Sequence, residues 1–423
     1  MTVLEMIYTA GFSSYLHGLG AIDSWLGESD TFVHILTNAG TADLARLFED
    51  LRYPGIDLAD AALDSSDDKN ETWYFRCADS FNDNRPSFNL LEFYQDYKSR
   101  VFYDPRGIYP LLAGIRDSIR KPEKIDIETM VNPLEIFQQG INLSFDRTRS
   151  SMDAALILAK YFSPDSGTEK YIDEIARLFI NLRESSPVKQ EEQRILLCSL
   201  LTSANPGLGF ELLKKSGFVA EYWPELAILD KADHSKEFHP EGNAWEHTME
   251  TFRHRKTAFY KKASFHRKAA FHGKAHNRRA CDLRLSLGLL LHDAGKPIAI
   301  SDGRRRFDGH AELGEIQARR FLERLGFDTS TIHDVCFLVR HHMLPAALPR
   351  LPLYRTEEIM ASPLFPLLLE LYRCDESSSF KGLDGYYESS AAYQSFLRNR
   401  RNPYRSADGK KLNNRQISGT AEV

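Results

Sequence analysis

Between positions 247 and 375, histidine and aspartate recur at the edges of apolar stretches. The pieces are WEHT (245–248), LLLHDAGKP (289–297), GHAELGE (309–315), LVRHHM (338–343) and LYRCDE (371–376). Imidazole and carboxylate together suit Mn, Fe, Co, Zn or Mg. His292 and Asp293 follow SLGLLL, whose apolar side chains are expected to be buried, and Gly295 comes next. An adjacent His-Asp pair at a helix end places two ligands at the mouth of a cleft. A carboxylate has two oxygens, so Asp293 can bridge two ions. A water held there loses its proton near neutral pH and attacks phosphorus. Lys296, one turn after Asp293, has the reach to donate to a phosphate oxygen. Taken singly, each piece has an ordinary explanation. A lone helical histidine such as His247 or His333 is usually a surface or satisfied core residue. His341 and His342 can cap a helix C-terminus, where cations are favoured, and Asp375 can pair with Arg373. Five pieces in this order point instead to one joint metal site.

The elements that must position these residues are helical. From about 125 onward, apolar residues recur three and four apart over Met152–Tyr161, Tyr171–Leu182, Gln190–Leu201 and Phe210–Lys215. Asn205-Pro206-Gly207 reads as the turn between the last two. A second helical group runs from Trp245 to about Leu397, followed by a polar tail over 401–423. Residues 1 to about 120 differ. Thr31–Leu36 (TFVHIL) is rich in strand formers, and Phe88–Tyr103 reads as two strands around a turn, closed by Asp104-Pro105-Arg106-Gly107. The expected fold class is an α/β head followed by mostly α structure. The expected domains are 1–124, a helical middle over 125–232, and an all-α domain over 233–400 that carries the histidines.

A chain of 423 residues suits two or three domains. Formal net charge is −5, so the whole molecule has no electrostatic pull towards nucleic acid. Residues 251–280, however, hold ten Lys or Arg and no Asp or Glu, and removing those ten from −5 leaves about −15 on the rest. Within that segment AFYKKA (258–263), SFHRKA (264–269) and AFHGKA (270–275) are three tandem hexads. A period of six fits neither helix nor strand. One reading is a solvated low-complexity insertion. The other is a basic, aromatic arm in which Lys261, Lys262, Arg267, Lys268 and Lys274 touch phosphates while rings stack on bases. A loose repeat fixes coordination geometry poorly, so His266, His272 and His276 are left out of the metal site. Five scattered cysteines without a C-x-x-C pair argue for free thiols in a reducing compartment. The N-terminus lacks a basic, apolar leader, and no stretch reaches 18 apolar residues. The expectation is a cytoplasmic protein with no membrane partner.

At these residues the sequence resembles the HD superfamily of metal-dependent phosphohydrolases. The longer string HPEGNAWEHT (239–248), taken with the later pieces and the Asp375 helix, looks like the C-terminal domain of bacterial CCA-adding tRNA nucleotidyltransferases and their poly(A) polymerase relatives. That resemblance covers most of 205–395. It implies metal ligands at His247, His292, Asp293, His310, His341 and Asp375, with His342 adjacent and the choice between the two open. It implies two divalent ions, drawn from Mn, Fe, Ni, Co or Mg. The interval from His247 to His292 is long for the family, and the hexads supply the excess.

The first half is similar to the nucleotidyltransferase head of the same enzymes, with losses. YLHGLGAIDSWLG (15–27) is similar to the Gly-Gly-x-x-Arg-Asp loop, keeping Gly18 and Asp23, with Leu19 and Ile22 in place of the second Gly and the Arg. The paired carboxylates that hold Mg in the family fall on Phe32 and His34. Phenylalanine cannot bind Mg and histidine is a poor ligand for it. The Arg-Arg-Asp-Phe element becomes Arg85-Pro86-Ser87-Phe88, and the Glu-Asp-Pro-Leu-Arg run becomes Val131-Asn132-Pro133-Leu134-Glu135. Asp23, Asp30 or Asp57 are the alternative carboxylates.

The expected molecule is a degenerate nucleotidyltransferase-like head on an intact HD domain, hydrolysing a phosphomonoester or phosphodiester of a nucleotide or tRNA-like RNA 3′ end. Asp293 and Lys296 carry the catalysis. The alternatives are a non-catalytic RNA-binding protein and a tRNA CCA-adding or poly(A) nucleotidyltransferase. Protein partners are not legible.

Overall fold

The structure is a computed structural model and describes residues 2–26, 32–56, 59–64, 72–79, 93–105, 107, 109, 112–113, 146–164, 168–182, 187–233, 242–255, 282–301, 307–379, 382–400, 402 and 406. These fall into two compact units. The first lies within Met1–Trp223, and the second comprises Pro224–Arg255 with Cys281–Val423. The boundary expected near 124, the hexads with Lys261, Lys262, Arg267, Lys268 and Lys274, and most of the 401–423 tail lie outside the described residues.

The first unit begins with a mixed sheet. Its strands are β1 (Ser14–His17), β2 (Phe32–Thr37), β3 (Ala61–Asp64), β4 (Thr72–Cys77), β5 (Tyr94–Asp96) and β6 (Phe102–Tyr103), in the order β3-β4-β2-β1-β5-β6. Among the described residues only the β2–β4 pairing is parallel, with His34 opposite Tyr74. The β-rich Thr31–Leu36 stretch is therefore β2, and β5 pairs antiparallel with β6 inside the expected Phe88–Tyr103 pair, whose first residues lie outside the described set. Successive strand residues face opposite sides. Val33 and Ile35 thus share one side, packed with Leu4 and Ile7 of α1 (Val3–Thr9) and Leu44 of α3 (Thr41–Leu47). Between β1 and β2, Gly18 at φ +61° turns the chain into α2 (Leu19–Leu26).

Helices α4 (Arg147–Tyr161), α5 (Glu169–Ile180), α6 (Gln190–Thr202) and α7 (Pro206–Lys215) follow, where the helical periodicity predicts helix, and the short α8 (Phe218–Tyr222), which it did not mark, comes after them. The Asn205-Pro206-Gly207 turn starts α7, with Pro206 at its first position, where the missing N–H costs nothing. A Cβ on Gly209 would meet Ala155 O of α4 at 2.7 Å, so only glycine allows this approach.

The second unit is helical: α9 (Pro224–Ala227), α10 (Ala244–Arg253), α11 (Leu283–Leu291), α12 (Lys296–Ser301), α13 (His310–Arg324), α14 (Thr329–His341), α15 (Leu344–Ala347), α16 (Glu357–Ala361), α17 (Phe365–Ser377) and α18 (Asp384–Arg400). Helix α11 is the buried axis. Its Leu287, Leu289, Leu290 and Leu291 are buried, and Gly288 lets Leu338 of α14 and Leu371 of α17 close in from two sides. Asn243 and Glu246 form a reciprocal cap that starts α10, and the Asp328 side chain caps α14. Among the described residues no helix is long and apolar enough to cross a membrane. The described cysteines Cys77, Cys198, Cys336 and Cys374 are free thiols, and burial pushes the Cys198 and Cys374 thiols up to about 12.

Candidate metal centre

Five separate segments of the second unit deliver side chains to one place. His247 projects from the second turn of α10, and Asp375 lies near the end of α17. His292 and Asp293 leave the C-terminal end of α11, where tight turns (Ala294 N to Leu291 O, Lys296 N to Asp293 O) reverse the chain into α12. His310 opens α13 just after Gly309, a left-handed cap at φ +74°. His342 is the C-cap of α14. Gly295 is fixed by contact rather than by dihedral. A Cβ there would run into the His310 carbonyl and come within 2.5 Å of Gly314 N, so the Asp293 turn sits flush on α13.

Two triads result, and Asp293 belongs to both. His247, His292 and Asp293 form one, and Asp293, His310 and His342 form the other, each with ligand atoms within 4.8 Å of one another. Asp293 Oδ2 is 3.3 Å from His292 Nε2 and 3.9 Å from His247 Nε2, while its Oδ1 is 3.7 Å from His310 Nε2. Asp375 Oδ1 lies 2.9 Å from His247 Nε2 and 4.0 Å from His292 Nε2. His247, His292, Asp293 and His342 are each 1% exposed, and Asp375 is only partly covered.

The imidazoles are aimed by hydrogen bonds behind them. Nδ1 of His292 donates to Leu289 O at 2.8 Å, that of His310 to Phe307 O at 2.9 Å, and that of His342 to Val339 O at 2.7 Å. In each case the acceptor is the carbonyl three residues earlier. A carbonyl only accepts, so each Nδ1 carries the proton and each Nε2 presents its lone pair to the centre. His292 Nε2 is buried without a hydrogen-bond partner. His310 Nε2 and His342 Nε2 face each other at 3.0 Å. Two lone pairs at that separation repel unless a cation lies against both. The same separation is that of neighbouring nitrogens around an ion with bonds of about 2.1 Å. The orphaned nitrogen, the facing lone pairs and the shared carboxylate all fit divalent metal.

The charges agree. Burial works to raise the Asp293 pKa, but positive charge around it, with the Lys296 ammonium in contact, outweighs it and holds the carboxyl well below the usual range. Burial is likewise overcome at Asp375 by its hydrogen bond to His247. His342 is pulled down to about 3, first by burial and then by His292 and His310. Burial also lowers His310, against the pull of Asp293. Neutral imidazoles and ionised carboxylates are the forms that bind metal. Lys296 Nζ sits 2.6 Å from Asp293 Oδ2 and 5.4 Å from the Phe307 ring centroid, a cation–π contact.

The structure thus gathers His247, His292, Asp293, His310, His342 and Asp375, with Lys296 beside them. His341 is the exception among the expected ligands. Its ring packs on Phe337 at 4.8 Å between centroids, and it is half-buried on the flank of α14. The choice between the two histidines falls on His342. One residue turns a helical side chain by about 100°, so both cannot face inward. Two contributors escaped the sequence reading. Phe307, itself in a left-handed conformation at φ +61°, gives its carbonyl to His310 and its ring to Lys296. Ser378 Oγ lies 3.3 Å from His247 Nδ1. Each stands three residues from a ligand, Phe307 before His310 and Ser378 after Asp375, and that spacing was the available signal.

In the first unit, the carboxylate that survives in the glycine loop is already engaged. Asp23 is buried and bonded to Lys160 Nζ at 2.5 Å and Tyr161 OH at 2.6 Å. His34 stacks on Tyr74, with 5.5 Å between ring centroids.

A family model described as an HD domain matches residues 269–366. That stretch of the chain is thus similar to an HD domain. His292, Asp293, His310 and His342 fall inside the matched span, and the geometry adds His247 and Asp375 from outside it. Over 253 residues the chain is 30% identical to a CC-adding tRNA nucleotidyltransferase of Thermus thermophilus, covering 59% of this chain and 51% of that protein. It is 29% identical over 143 residues to a multifunctional CCA protein of Halorhodospira halophila, covering 34% of this chain and 29% of the other. Among solved structures, a tRNA-processing enzyme in its apo form I aligns at TM-score 0.42 and 14% identity over 99% of this chain and 93% of that one. The Thermotoga maritima CCA-adding enzyme complexed with tRNA aligns at TM-score 0.37 and 12% identity over 98% of this chain and 86% of that one. The chain is similar to tRNA nucleotidyltransferases over part of its length, and it spans about half the length of the Thermus relative it matches.

Proposed function

We propose that this chain is a metal-dependent phosphohydrolase, a phosphomonoesterase or phosphodiesterase, acting on a nucleotide or a tRNA-like RNA 3′ end in the cytoplasm. The observation that carries the proposal is the pair of triads sharing Asp293, with the Nδ1 protons of three imidazoles held behind them. His247, His292 and Asp375 hold one side of the centre, His310 and His342 the other, and Asp293 serves both. When bound, divalent ions (Mn, Fe, Ni, Co or Mg) supply Lewis-acid polarisation of phosphoryl oxygen and acidify water. Lys296 keeps an ammonium at the edge of the centre, where it neutralises Asp293 and can turn to a phosphate oxygen. Burial keeps His310 and His342 neutral and excludes bulk water. The nucleotide or RNA substrate follows from likeness to tRNA-directed relatives and from the basic hexads.

Replacing Asp293 with Ala is expected to abolish metal-dependent hydrolysis of bis-p-nitrophenyl phosphate, by a hundredfold or more, and to lower bound metal in parallel. Full activity in that variant removes the mechanism.

The activity named for the Thermus relative favours a second reading, nucleotide addition to a tRNA 3′ end. Against it stand Phe32 and His34 on β2 and the engagement of Asp23 by Lys160 and Tyr161. Labelled tRNA lacking its terminal nucleotides, incubated with CTP, ATP and Mg, is expected to keep its length. Lengthening supports the second reading.

A further inference from the structure

From Val335 to Thr356 the chain carries three arginines and no Asp or Glu, in a molecule whose net charge is −5. Arg340 is paired with Glu312 and Glu315 of α13. Arg350 and Arg355 are exposed, and among the described residues neither is in an ion pair. Tyr354, at 77%, is the most exposed large apolar side chain among the described residues. The Arg355 guanidinium lies over its ring, 5.8 Å from the centroid. This display is held rigidly. Leu353–Arg355 is a single 3₁₀ turn between Pro352 and the buried Thr356. Arg355 N donates to Pro352 O at 3.0 Å, and Thr356 donates to Leu353 O through its N–H at 2.9 Å and its hydroxyl at 3.2 Å. Upstream, Leu348 is buried and Ser389 Oγ of α18 bonds Pro345 O at 2.5 Å. An exposed aromatic on a rigid turn loses little entropy when it is covered. Acidic side chains return only at Glu357 and Glu358, in the first turn of α16, where the helix dipole favours them.

We propose that Arg350, Tyr354 and Arg355 form a docking surface for single-stranded nucleic acid, with a base stacked on Tyr354 and backbone phosphates on the two arginines. The inference rests on the proposed function above and deepens it, by naming a contact for the RNA outside the metal centre. An aromatic ring takes any base by its π-face, and a guanidinium forks onto phosphate. A nucleic-acid strand is the polyanion that offers both partners at adjacent positions. The surface also leads to the centre. Met343, 50% exposed, directly follows His342, so a strand lying along 343–355 is guided to the proposed ligands.

The test uses the full chain and fluorescein-labelled oligo(A), followed by anisotropy with a chelator present so that no divalent ion takes part. Tyr354→Ala is expected to weaken binding at least about fivefold, the loss of one stacked base. Tyr354→Phe, which keeps the ring, is expected to stay within about twofold. Changing Arg350 and Arg355 to Ala is expected to flatten the fall of log affinity with log salt by about 0.7 for each arginine. Heparin, a polyanion without bases, separates the two contributions: its binding should weaken in the arginine variant and not in Tyr354→Ala. Unchanged oligo(A) affinity in Tyr354→Ala overturns the proposal, as does an unchanged salt slope in the arginine variant. Equal loss of heparin and oligo(A) in Tyr354→Ala contradicts base stacking. Failure of the unaltered chain to bind oligo(A) removes this surface, whereas failure to hydrolyse bis-p-nitrophenyl phosphate with metal removes the proposed chemistry; the two are read separately.

Discussion

His341 and His342 are adjacent in sequence and have opposite fates. His342 Nε2 meets His310 Nε2 at 3.0 Å inside the site, whereas His341 lies against Phe337. His342→Ala is therefore expected to lower metal affinity by ten- to a hundredfold or more, as loss of a direct ligand should. His341→Ala is expected to leave affinity within about threefold, because it removes only packing on a helix flank. Calorimetric titration of both variants with Mn(II) checks the pair, and the reverse ranking contradicts the placement. Much of this site was legible in the sequence, because each ligand sits in a short segment with its own signal. WEHT, the His-Asp pair and GHAELGE each announce themselves locally. The choice between two neighbouring histidines was not legible, since it depends on where α14 ends and how it is rotated. Ser378 was hidden for a related reason: its meeting with His247 exists only once α10 and α17 have packed.

At the scale of elements, the centre depends on helix ends. His292 and Asp293 follow α11, His310 begins α13 and His342 ends α14. What fixes a helix end therefore fixes a ligand. Asp328 accepts from Thr331 N at 2.9 Å and from the hydroxyls of Ser330 and Thr331, each at 2.6 Å, and so starts α14. Burial tends to raise its pKa, but those hydrogen bonds outweigh it and bring it down to about 2. Asp328→Ala is expected to cost about 1 kcal/mol near neutral pH, as N-cap removals do. The pH dependence has a definite sign. The folded pKa lies below the unfolded value of about 3.9, so the unfolded chain takes up the proton first as pH falls. The contribution is complete above about pH 4 and disappears as pH drops through about 2. Urea midpoints of the two proteins should thus differ most near neutrality and converge in acid. A gap that is constant with pH contradicts the assignment. The helices themselves were legible from their periodicity. The close approaches at Gly288 and Gly295 were not, because a glycine in sequence does not say which neighbour it admits.

At the scale of the molecule, the two units have been treated differently. The first has a mixed sheet, the Gly18 turn into α2 and a buried core, and Phe32 and His34 stand on β2 at the positions where the resemblance to nucleotidyltransferase heads implies carboxylates. The second brings six ligand-type side chains together on helix ends, two of them supplied from beyond the matched HD span. The contrast places the proposed chemistry in the second unit. The most direct measurement is an anomalous X-ray difference map from crystals of the full chain grown with Mn(II). The account predicts density against Asp293 and between His310 Nε2 and His342 Nε2, with His247, His292 and Asp375 around it and His341 apart. Crystals that take up Mn(II) elsewhere, or show none within coordination distance of Asp293, would contradict it.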